Sequence, residues 1–148
     1  MKSLKIILLL IVILFQWSFC NAANPTDKME WWKEARFGMF IHWGLYSIPA
    51  GEWNNMQTKI GETTEWIQCY MKIPVADYKS LAARFNPTRF NAEEFVLLAK
   101  EAGMKYIVQT SKHHEGFTMF KSSDPFNVVD ATPYKKDIVK AMADACKK

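Results

Sequence analysis

Phe37-Gly38-Met39-Phe40-Ile41-His42-Trp43 is apolar at nearly every position and carries no acidic or basic charge apart from one histidine. A run that is apolar on both faces is what a parallel strand buried on both sides of a sheet requires. A second such run follows at Tyr106-Ile107-Val108-Gln109-Thr110-Ser111. Between them, Asn91 with Glu94 three residues later has the form of a capping box. It opens a helix through Phe95, Leu98 and Ala102 that ends at Gly103. Upstream, Asp27 with Glu30 opens a short helix to about Ala35. Downstream, 112–132 reads as loop, with Gly116 and Pro125, and 136–147 as a last helix with Ile138, Met142 and Cys146 on one face.

The connection over 44–90 is long and carries Pro49, Gly51 and Gly61. Two short helices are expected within it, over about 64–71 and from near Pro74 to about Arg84, where Asn86-Pro87 follows. A connection of this length with helices of its own usually carries function. Strands alternating with helices imply a parallel α/β architecture. Two parallel strands cannot form a sheet buried on both faces. The expectation is therefore two βα units with the next strand beginning just after Lys148.

The first 22 residues read as a signal peptide. Lys2 and Lys5 give a positive start, Ile6–Phe15 is an uncharged apolar stretch, and Cys20-Asn21-Ala22 places small residues before a cut at Ala23. That stretch spans only ~15 Å, half of a ~30 Å hydrocarbon core, so no stable membrane anchor is expected after cleavage. Lipid attachment at Cys20 is disfavoured by the bulky Phe19 before it. An exported protein, periplasmic or extracellular, is the expectation. Lys and Arg number 19 and Asp and Glu 15; without Lys2 and Lys5 the balance is 17 against 15. A charge so near neutral, with no basic run, gives no reason to expect a nucleic-acid partner. Cys69 and Cys146 remain after cleavage; one possible pair is no disulfide framework, and both read as buried thiols. With 49% hydrophobic and 14% aromatic residues the chain has material for a core.

The chain has three histidines, His42, His113 and His114, and all three fall at the C-terminal ends of the two expected strands. Ligands bind there in parallel α/β folds. Strands ~4.8 Å apart bring such residues to one pocket. One histidine alone would read as a packed core residue; three of three read as functional. A metal site competes, since histidine is a common ligand. Against it, adjacent His113 and His114 in extended backbone would face opposite ways, and no Cys pair, His-x-His or HExxH motif accompanies them. Five tryptophans follow the signal segment: Trp31, Trp32, Trp43, Trp53 and Trp66. Flat rings beside hydrogen-bonding groups suit a sugar, which has an apolar face and polar hydroxyls. Trp31 and Trp32 read as core packing. Glu65-Trp66 is different: an acid beside a ring in the long connection offers a hydroxyl acceptor and a stacking face together. Glycoside hydrolysis normally uses two carboxylates about 5–5.5 Å apart for retention and farther apart for inversion. Glu65 and Glu115 are the candidates, and nothing in their spacing makes them a pair.

Residues 31–47, Trp-Trp-Lys-Glu-Ala-Arg-Phe-Gly-Met-Phe-Ile-His-Trp-Gly-Leu-Tyr-Ser, resemble the opening of glycoside hydrolase family 29, the α-L-fucosidases. Residues 105–117, Lys-Tyr-Ile-Val-Gln-Thr-Ser-Lys-His-His-Glu-Gly-Phe, resemble its second hallmark, and Glu65-Trp66 a third, shorter one. The resemblance spans about 27–148. It implies that 23–148 is the N-terminal portion of a TIM-like (β/α)8 catalytic barrel, cut after about two βα units. It also implies release of terminal α-L-fucose from fucosylated glycans with retention, and no metal or cofactor. His42, His113 and His114 would then bind fucose hydroxyls, Glu65 and Trp66 would hold the sugar, and Phe40 would line the wall near its methyl group. The family's nucleophile and acid/base have no counterpart in the chain, so the chain by itself is expected to be inactive. Glu115 stands where the family usually has Asp. The alternatives are a non-catalytic fucose-binding remnant and, further off, a metal-dependent barrel enzyme using the three histidines.

Overall fold

The computed structural model describes residues 27–148; the expected signal peptide, 1–22, and the possible lipid site at Cys20 lie outside them. Helix α1 (Asp27–Ala35) belongs to one unit, and 37–148 form a second. The divide falls at Arg36, which adopts a left-handed φ of 51°. Trp31 and Trp32 of α1 are exposed, not core residues as the sequence reading had them.

The second unit runs β1 (Met39–Ile41), β2 (Glu52–Trp53), β3 (Met56–Gln57), α2 (Ile67–Tyr70), α3 (Val75–Ser80), α4 (Ala92–Glu101), β4 (Ile107–Gln109) and α5 (Ile138–Ala145). Turns of 3₁₀ helix cover Leu45–Ser47, Thr64–Trp66 and Leu81–Arg84. β1 and β4 pair in parallel, with Met39, Phe40 and Ile41 opposite Ile107, Val108 and Gln109. Flanking bonds from Lys105 N–H to the Phe37 carbonyl (2.8 Å) and from Thr110 N–H to the Ile41 carbonyl (3.0 Å) extend the register at both ends. Gly38 permits this pairing by its lack of a side chain: a Cβ there would lie 2.3 Å from the Tyr106 ring.

Among the described residues this two-stranded sheet is covered on one face only. Ile41 and Ile107 pack beneath Ala92, Met142 and Ala145 of α4 and α5. On the other face Phe40 is 66% and Val108 42% exposed. The helices of this unit cover one side of the sheet, so alternate residues of each strand meet different surroundings.

α4 begins and ends as its sequence implies. The Asn91 carboxamide accepts from Glu93 N–H at 3.1 Å and donates to the Glu94 carboxylate at 2.9 Å. At its C-terminus Gly103 takes a φ of 78°. Gly103 and Met104 N–H donate to the Lys100 and Ala99 carbonyls at 3.0 and 2.9 Å, a Schellman closure. The buried face differs from the expected one: Ala92 and Ala99 are covered, and Leu98 is 59% exposed. Asp137 caps α5 by accepting from Lys140 N–H at 2.7 Å. That helix buries Ile138, Met142 and Ala145, while Cys146 is exposed, as is Cys69. Both thiols thus depart from the buried places expected of them.

Two features were not expected from the sequence. β2 and β3 form a two-residue antiparallel hairpin, closed by Asn54 and Asn55 with φ of 50° and 63°. Those angles suit the primed turn that matches strand twist. The loop over 112–132 is itself built into the larger core, through Phe117, Met119, Phe126 and Val128 beside Leu45 and Tyr78. Fully buried Asn127 organises it. Its amide donates to the Asp124 carbonyl (2.7 Å) and the Asp130 carboxylate (2.6 Å), and its oxygen accepts from Val129 and Asp130 N–H, both at 2.9 Å. Lys121 closes the ring on Asp130 at 2.7 Å. A loop pinned this way is a rigid support for what precedes it, residues 113–116.

Candidate functional site

β1 ends at Ile41 and delivers His42 directly. Gly44 then admits a tight 3₁₀ turn, where a Cβ would meet Tyr46 Cε1 at 2.6 Å and the Glu115 Oε1 at 3.2 Å. Ser47 closes the turn through its hydroxyl on the Gly44 carbonyl at 2.8 Å. Tyr46 is thereby buried under the end of the sheet. After β4 the chain turns at His113, with Gly116 N–H on the His113 carbonyl at 3.0 Å and Gly116 at φ 86°.

His113 is the hub of the resulting ring cluster. Its centroid lies 4.6 Å from His114, 5.0 Å from His42, 5.3 Å from Tyr46 and 6.2 Å from Trp66. His42 also meets Tyr46 at 5.4 Å and Phe40 edge-on at 5.8 Å. Trp66 lies against His114 at 4.0 Å. Glu65, Trp66, Gln68, Cys69, His114 and Glu115 line a cleft of about 220 Å³. Two larger hollows exist, about 510 Å³ between α4 and α5 and about 400 Å³ beside the hairpin, but neither holds a histidine. Chemistry rather than size therefore selects the cleft.

All six residues singled out from the sequence fall in this cluster or on its rim: Phe40, His42, Glu65, Trp66, His113 and His114. One geometric expectation fails. His113 and His114 do not point to opposite faces, because the strand stops at Gln109 and both sit in a turn. Among the described residues no group of three or more His, Cys, Asp or Glu is placed to hold a metal ion. The sequence reading passed over Tyr46. Its signal lay in the same first motif, four residues after His42.

The electrostatics centre on two carboxylates. Burial pushes Glu65 upward, but its own backbone N–H, the Thr63 hydroxyl and the nearby His42 and His113 outweigh that and hold it below the usual range. His113 is held below the ordinary histidine value by burial first and then by His114 and His42, against the opposing pull of Glu65. Burial pushes Glu115 up to about 6, with its backbone N–H opposing. The Glu115 side chain is only 3% exposed, and its Oε2 lies 3.4 Å from His113 Nδ1. Besides the Glu115 backbone N–H, no hydrogen-bond partner reaches the Glu115 oxygens or His113 Nδ1. The Tyr46 and Tyr78 hydroxyls are buried alongside, Tyr46 beside Thr110.

A pH dependence follows. The folded-state value of Glu115 lies above its ordinary 4.5, at about 6. Its favourable contribution is complete below about pH 4.5 and is lost as pH rises to about 6, roughly 2 kcal/mol over the window. Glu115→Gln stays neutral throughout. Melting curves of both proteins between these limits are expected to show the variant gaining on the wild type as pH rises. A gap that stays constant with pH would show that Glu115 titrates normally.

A family model described as Alpha-L-fucosidase matches residues 15–148. A putative α-L-fucosidase of Caenorhabditis elegans is 40% identical over 126 residues, 80% of this chain and 26% of its own length. The tissue α-L-fucosidase of Rattus norvegicus is 38% identical over 80% of this chain and 27% of its own. The chain thus spans about a quarter of the curated relatives it matches. Among solved structures, the unliganded α-L-fucosidase AlfC of Lactobacillus casei superposes with a TM-score of 0.77 at 48% identity, covering 82% of this chain and 36% of that one. A family 29 α-L-fucosidase of Bacteroides thetaiotaomicron, trapped as a covalent intermediate, gives 0.76 at 41% identity over 80% of this chain and 27% of that one. A match over nearly the whole length, with the shared α/β arrangement, shows that the chain belongs to the α-L-fucosidase family, glycoside hydrolase family 29.

Proposed function

We propose that the full-length protein carrying this chain is an exported exo-glycosidase that releases terminal α-L-fucose from glycoconjugates with retention. Its catalytic domain would be a TIM-like barrel of which 23–148 form the N-terminal portion. The observation that carries this reading is the convergence of His42, His113, His114 and the Glu65-Trp66 pair at the C-terminal ends of two parallel strands. The Trp66 ring takes the apolar face of the sugar. The histidines and Glu65 hydrogen-bond its hydroxyls, and Phe40 meets its methyl group. Glu115 lines the cleft with little exposure and faces His113, so in this reading it supports the face, which binds and orients. The nucleophile and acid/base of a two-carboxylate mechanism come from residues outside it. The covalent intermediate trapped in the Bacteroides relative supports retention.

The test is turnover of an aryl α-L-fucoside by the full-length protein, with NMR of the anomer released first. The α anomer is expected. The β anomer would replace retention by inversion. Fucose binding without turnover would favour the sugar-binding remnant instead.

A further inference from the structure

Glu115 has no evident structural use. A buried carboxylate with few hydrogen bonds costs stability. His113 Nδ1 faces this one at 3.4 Å, its own backbone N–H supports it, and the buried Tyr46 and Tyr78 phenols lie near enough to feel its charge. Room for it is provided on purpose of packing: at Gly44 a Cβ would come within 3.2 Å of Oε1. The loop behind it is pinned by Asn127. Rings on several sides (His42, Tyr46, Trp66 and His114) fix the plane of the His113 imidazole. Packing therefore sets where the ring is, and only the position of its proton is left to be chosen. In a neutral imidazole that choice follows the hydrogen bond made by one nitrogen. His113 is held towards the neutral form by its burial and by His42 and His114, with Glu65 opposing and the Tyr46 and Tyr78 phenols also buried nearby.

We propose that Glu115 is a positioning residue: its carboxylate takes the Nδ1 proton of His113 as a hydrogen bond and leaves Nε2 bare, as an acceptor for a ligand hydroxyl. The 3.4 Å separation is long for a formed bond. Contacts of this kind tighten when a ligand fills the site. The identity of the ligand as fucose rests on the proposed function; the tautomer does not. The inference also gives a partner to His113 Nδ1 and to Glu115 Oε2 with one bond.

The experiment labels the histidines of the full-length protein with nitrogen-15 and reads the His113 ring at about pH 8, where Glu115 is ionised. Wild type is expected to carry the proton on Nδ1. Glu115→Leu is expected to move it to Nε2 and to lower kcat/KM on an aryl fucoside roughly tenfold, the loss of one hydrogen bond. Glu115→Asp, which keeps an acceptor, is expected to retain the Nδ1 proton and most of the activity. A wild-type proton on Nε2, or an unchanged tautomer in Glu115→Leu, would overturn the inference. If Glu115→Leu does not fold, the wild-type spectrum alone decides. A wild type that turns over no fucoside yet carries the Nδ1 proton would defeat the proposed function and leave this inference standing.

Discussion

Prepared by itself, this chain is expected to leave aryl α-L-fucosides intact, about 10⁶-fold or more below the activity proposed for the full-length protein, as when catalytic groups that act as a unit are removed together. Retaining hydrolysis needs two carboxylates on either side of the scissile bond. The cleft has only Glu65 and Glu115. Glu115 is buried and turned to His113, so it cannot attack or protonate a sugar. Glu65 is held ionised by its own backbone N–H, Thr63, His42 and His113, which suits a hydroxyl acceptor and not a proton donor. The measurement is release of the aryl alcohol by the purified chain, free of host enzyme. Clear turnover would mean that the described residues contain a catalytic pair after all.

The second large effect is expected from His42→Ala in the full-length protein, a fall of roughly 5- to 150-fold in kcat/KM. His42 is exposed at the end of β1, with His113 at 5.0 Å and Phe40 at 5.8 Å. If His42 binds the sugar as proposed, its removal takes one hydrogen-bond partner from a sugar hydroxyl. Because the ring is exposed, little stability should be lost with it. A melting curve beside the kinetics separates the two roles. An unchanged kcat/KM with a lowered melting temperature would assign His42 to packing and remove it from the site.

The sequence alone was enough to place β1, α4, β4 and α5, because each is written in local terms. Apolar runs mark the strands, Asn91 and Gly103 bracket α4, and these signals act over a few residues. It also located the three histidines at strand ends and carried the motifs of the family. Several features were decided only by tertiary structure. Phe40 and Val108 look as apolar as Ile41 and Ile107, yet only the latter meet α4 and α5. Leu98 lies on an exposed face of α4, while small Ala92 and Ala99 take the buried one. His113 and His114 share a cluster because the strand stops at Gln109, a boundary that periodicity does not mark. Tyr46 and Glu115 acquire their places through Gly44, which lies far from Glu115 in the chain but adjoins it in space. Periodicity reports which residues can share a face. What covers that face, and which buried acid finds which ring, depends on elements that arrive from elsewhere in the chain.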